Sequence, residues 1–131
     1  AQSDPPIELE DAWNRMLPQL AAYDVGDLPE FCLALFDSAD GSSGSVSGLT
    51  EGNLEPVRFL AGALHSCAAS LVRHADRLGF GGVERAVFSG GWMRPGRVVG
   101  DLVASRIPVP HRNATDGEDA LVGLGALLAR Y

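Results

Sequence analysis

Apolar residues along this chain recur with two spacings, and the switch between them marks out the elements. In residues 7–23, Leu9, Trp13, Met16, Leu17 and Leu20 fall on one stripe, which predicts a helix. Asp4 ahead of Pro5 and Pro6 supplies a start signal, and Pro18 is expected to kink or split the helix. Phe31 to Phe36 form a continuous apolar run, so residues 31–37 read as a buried strand. Residues 38–46 are rich in Ser and Gly and read as a connecting loop, with a short strand over 45–48. The strongest helical pattern runs from Pro56 to Leu78. There Leu60, Leu64, Cys67, Ala68, Leu71, Ala75 and Leu78 recur three or four apart, and Gly79 stands where a left-handed cap is expected.

The second half alternates. Glu84 to Ser89 read as a strand, and Gly90-Gly91 as the turn after it. Pro95 suits the first turn of a helix that carries Val98, Val99, Leu102 and Val103. Ile107-Pro108-Val109-Pro110 reads as a short extended segment, at the edge of a sheet or its last strand. Thr115-Asp116-Gly117-Glu118 has the form of a capping box, opening a helix over 116–130 with Ala120, Leu121, Leu124, Leu127 and Leu128. Helix, strand, helix, strand, helix predicts an α/β layer with parallel strands and right-handed crossovers.

Composition narrows the classes. The 131 residues fit one domain, and 46% apolar with 21% charged residues is a globular balance. Ten cationic residues, all Arg, face seventeen acidic ones, and the net charge of −7 argues against a general nucleic-acid binder. No stretch approaches the ~18 consecutive apolar residues of a membrane span. The start, Ala1-Gln2-Ser3-Asp4, has no Met, no basic region and no apolar signal core. The expectation is a cytoplasmic protein with no membrane partner, read from partway along a longer chain. Cys32 and Cys67 lie in apolar surroundings without a CxxC pattern and read as buried, reduced thiols rather than a disulfide framework or zinc site. His65 and His74 have no Cys or carboxylate at ligand spacing and read as surface or packing residues.

The candidate chemistry lies in Val87-Phe88-Ser89-Gly90-Gly91-Trp92-Met93-Arg94-Pro95. Ligands of open α/β sheets bind beyond the carboxyl ends of the strands. Glycines there allow positive φ and let a flat ring or a phosphate reach the backbone amides. A tight strand-to-helix turn needs glycine too, so the turn by itself fits both readings. Gly123 and Gly125 lie inside the last helical pattern, where each glycine costs about 0.5–1 kcal/mol against alanine. Close helix packing and close approach of a ligand both account for them.

The order of these segments resembles the C-terminal domain of the FGGY carbohydrate kinases, ATP-dependent sugar kinases such as xylulokinase. The resemblance covers residues 30–131 and rests on order and spacing. It is carried by "GSVSGLT" (44–50), the helix from Pro56 with Arg58 and Gly62, "AVFSGGWMR" (86–94), "GRVVGDLVASRIPV" (96–109) and "GEDALVGLGALLA" (117–129). Departures are Trp92 in place of a small third residue, Ala61 where the family often has Glu, and "DSADGSSG" in place of the usual Gly-Glu-Arg-x-Pro region.

The resemblance implies an α/β, ribonuclease-H-like (actin-like ATPase) half-domain with a mixed sheet flanked by helices. A helical segment, 1–29, precedes it. ATP or ADP with Mg²⁺ is the implied cofactor. Gly90 and Gly91 would offer backbone to it, and Trp92, Arg94, Gly123 and Leu124 would line the adenine site. The family's catalytic base and the sugar contacts belong to an N-terminal half, so no catalytic residue or metal ligand is expected here, and Asp101 reads as a solvated charge. The fragment alone is expected to be inactive, and a homodimer is compatible with this reading. Two alternatives stay open: a non-enzymatic α/β binding or regulatory module that kept the fold, and another actin-like kinase such as an N-acetylhexosamine kinase or a related ATPase.

Overall fold

The computed structural model describes residues 9–32, 44–94 and 96–114. Within them the elements are α1 (Leu9–Ala22), β1 (Glu30–Cys32), β2 (Ser45–Ser47), α2 (Pro56–Leu78), β3 (Ala86–Phe88), α3 (Val98–Ala104) and β4 (His111–Asn113). The α/β class expected from the sequence holds at this level. The chain divides into two compact units, Ala1–Cys67 and Ala68–Tyr131, and the boundary falls inside α2.

In the first unit, α1 keeps its helical course through Pro18 rather than splitting there. Proline removes the hydrogen bond to the carbonyl four residues back. That residue, Asn14, is exposed, so water can take the carbonyl. Leu20 is fully buried, and its carbonyl accepts a hydrogen bond from His65 Nε2 of α2 (3.0 Å). His65 is buried, with Nδ1 unpartnered. It is a packing residue tying α2 to α1.

The chain after α1 turns over Val25–Asp27, where the Asp24 side chain accepts from the Gly26 amide (3.0 Å). Leu28 and Pro29 are then buried. A Cβ at Gly62 would collide with the carbonyl and ring of Pro29, so α2 can approach only because residue 62 has no side chain. Ala61, beside it, is fully buried. A carboxylate there would have to be desolvated. Phe31 completes the seat: its amide donates to Ser66 Oγ (2.9 Å), and its ring meets Phe59 edge-on at 4.8 Å. Arg58 lies over the Tyr23 ring (5.3 Å) and reaches Glu55 (3.5 Å).

β1 pairs antiparallel with β2, Phe31 opposite Val46. The buried strand expected over 31–37 is described only to Cys32. There Phe31 is half-buried and Cys32 is exposed, which corrects the expectation of two buried thiols. Among the described residues β1 and β2 form a two-stranded ribbon, which leaves much of its surface to water. Cys67, by contrast, is partly buried, and that burial pushes its thiol up from the ordinary value. After β2, Asn53 is buried and holds the loop together, accepting from the Thr50 amide and donating to the Gly48 carbonyl (2.8 Å each).

In the second unit, the rest of α2 ends where the periodicity placed it. Gly79 has φ +79°, and its amide reaches the carbonyls of Ala75 and Asp76 (3.1 Å each). Leu78 departs from the expected apolar stripe and is 89% exposed, because it is the last helical residue and the chain turns away at once. β3 and β4 pair in parallel, with α3 between them in sequence. The strand expected over Ile107–Pro110 instead lies at His111–Asn113. Proline has no amide to give a ladder. Pro110 therefore enters only as an acceptor, from the Ala86 amide (2.9 Å), and the pairing runs on to Ala114 N–H on the Phe88 carbonyl (2.8 Å). The helix expected over 116–130 lies outside the described residues.

Gly62→Ala should destabilise the chain by about 1–3 kcal/mol, the usual cost of forcing atoms into a filled core, read as a fall in the urea midpoint at unchanged slope.

Candidate functional site

The site begins where β3 ends. Phe88 is buried and its ring stacks on His111 of β4 (4.7 Å, 22°). The next residue, Ser89, is exposed, and the backbone then bends at Gly90, with φ +86° and ψ 161°. Only glycine occupies that region without strain. Gly91–Met93 form one 3₁₀ turn, closed by the Met93 amide on the Gly90 carbonyl (3.2 Å).

The turn buries none of its side chains. Trp92 is 62% exposed, and Arg94 is exposed beyond it. Among the described residues, a Cβ added at Gly90 or Gly91 meets nothing within 4 Å. The two glycines therefore differ. Gly90 needs its residue type for conformation, whereas at 91 neither φ nor any described neighbour requires glycine.

The underside of the turn is held tightly. A Cβ at Gly100 of α3 would lie 2.9 Å from the Met93 carbonyl oxygen and 3.0 Å from its carbon, so α3 abuts the turn backbone directly. Val98, Val99 and Val103 of the same helix are buried, and Asp101 is exposed on it, as a solvated charge would be. The helix starts three residues after Pro95, with Arg97 at its N-cap, rather than at the proline. Asn113 Nδ2 also donates to the Met93 carbonyl (2.7 Å).

Of the six candidate residues, Gly91 and Trp92 lie in this turn and Gly90 and Arg94 cap its two ends, and Gly123 and Leu124 lie outside the described residues. Asn113 was not singled out by the sequence. Nothing local to that Asn points to the Met93 carbonyl, because its partner is 20 positions away.

Within the described residues no three His, Cys, Asp or Glu gather to hold a metal ion, and no helix is long and apolar enough to cross a membrane. Compared with protein-family models, with curated proteins and with solved structures, the chain matches none.

Alanine at the two glycines should separate their roles. Gly90→Ala should cost about 1–3 kcal/mol for the backbone strain. Gly91→Ala should stay within about 0.5 kcal/mol of the parent, as at an unencumbered surface position. Denaturant unfolding of both variants checks the contrast.

Proposed function

We propose that this chain is the nucleotide-binding C-terminal part of an ATP-dependent sugar kinase of the FGGY type. The observation that carries the reading is Gly91, whose bare backbone nothing among the described residues requires. It lies one residue beyond a positive-φ glycine, at the carboxyl end of a strand in a parallel β3–α3–β4 arrangement. That is where ligands of α/β sheets bind.

The turn's residues suit a nucleotide. Gly90 and Gly91 leave the backbone approachable. The exposed Trp92 offers a ring face on which a base can stack. Arg94 adds a cation at the same rim. ATP would supply the transferable phosphoryl group, with Mg²⁺ neutralising its charge. This chain's part is to bind and orient the nucleoside end. In this reading the metal arrives on the nucleotide, and the proton-accepting carboxylate and the sugar contacts belong to an N-terminal half. The ribonuclease-H-like fold, a cytoplasmic location and the inactivity of the isolated chain belong to the same proposal.

The test is a titration of Mg-ADP followed through backbone amides. Saturable shifts are expected at Gly90, Gly91 and Trp92. Gly91→Val should abolish them without lowering the melting temperature, and Trp92→Ala should weaken binding roughly tenfold or more, the usual worth of a base stacked on an aromatic ring. Unchanged amides at millimolar nucleotide would overturn the reading.

A further inference from the structure

We infer that Asn113 is the positioning residue of the Gly90–Arg94 turn: its carboxamide holds the Met93 carbonyl and so keeps the bare glycine backbone in one conformation. As a statement about ligand binding, this rests on the nucleotide reading above. As a statement about the turn, it stands alone.

The turn has little of its own to hold it. It buries no side chain, and its closing hydrogen bond is long at 3.2 Å. Among the described residues two outside contacts hold it instead, and both converge on Met93. Gly100 lets α3 press against that residue's backbone. Asn113 bonds its carbonyl at 2.7 Å, the directional one of the two restraints.

Asn113 is itself well placed to hold something. It pairs with Phe88, the last residue of β3, so its side chain leaves the sheet at the level where the chain departs into the turn. Backbone hydrogen bonds on either side, Ala86 to Pro110 and Ala114 to Phe88, keep that strand in register. The chemistry is specific: a carbonyl only accepts, so the residue at 113 must donate. Aspartate has the same shape, but when ionised it would set an acceptor against an acceptor. Leucine has similar bulk and no donor.

The full chain carrying Asn113→Leu or Asn113→Asp tests this, by amide exchange and nitrogen relaxation without ligand and by Mg-ADP titration. Gly91, Trp92 and Met93 should become mobile while the Ala86 and Ala114 amides keep their protection. Mg-ADP affinity should fall about five- to tenfold, the usual worth of one hydrogen bond, and Asn113→Gln should restore part of it. Turn amides indistinguishable from the parent in a folded variant overturn the inference. So does simultaneous loss of protection at Ala86 and Ala114, which would make Asn113 a strand-holding residue only. If the leucine variant does not fold, the same amides are read in the aspartate variant. If the parent binds no Mg-ADP, the nucleotide reading fails, and the ligand-free amides alone judge Asn113.

Discussion

A helix can lie against another stretch of backbone only where its own side chains vanish. Gly62 and Gly100 are the positions where this happens among the described residues. In the first unit Gly62 lets α2 rest on Pro29, which sets the approach that His65, Ser66 and Phe59 then use. In the second unit Gly100 lets α3 rest on Met93, which sets the height of the turn that follows β3. A methyl group at either position would push a backbone rather than a side chain, and backbone has little room to yield.

Glycine thus serves three purposes here that composition alone cannot separate. Gly100 is crowded, Gly90 is conformational, and Gly91 is neither. The third kind is the informative one. A fold that requires glycine at a position explains it completely, whereas Gly91, open among the described residues and beside an exposed tryptophan, is the one the proposed nucleotide would account for.

Buried and half-buried polar side chains do the long-range fastening. His65 bonds the Leu20 carbonyl, Ser66 takes the Phe31 amide, and Asn113 bonds the Met93 carbonyl. Each satisfies a backbone group far away in sequence. A donor or acceptor left unmade in such a place costs more than the bond contributes when made, which gives these contacts their leverage over position.

Local pattern in the sequence was enough for α1, α2 and α3 and for their order among the described strands. The 23-residue span of α2 and its Gly79 cap follow from local rules, because helical periodicity and capping act within a few residues. The strand–turn–helix order around Gly90 was legible for the same reason. Tertiary structure decided the rest. Pro108 and Pro110 looked like part of a strand, yet pairing starts at Pro110 only as an acceptor and moves β4 to His111–Asn113. Cys32 and Leu78 fit apolar patterns, but whether anything covers them depends on neighbours distant in sequence. Asn113 shows the limit most clearly: its role exists only once β4 lies beside β3 and brings its amide to a carbonyl 20 residues away. Local sequence encodes backbone conformation. Which side chain meets which carbonyl is settled by packing.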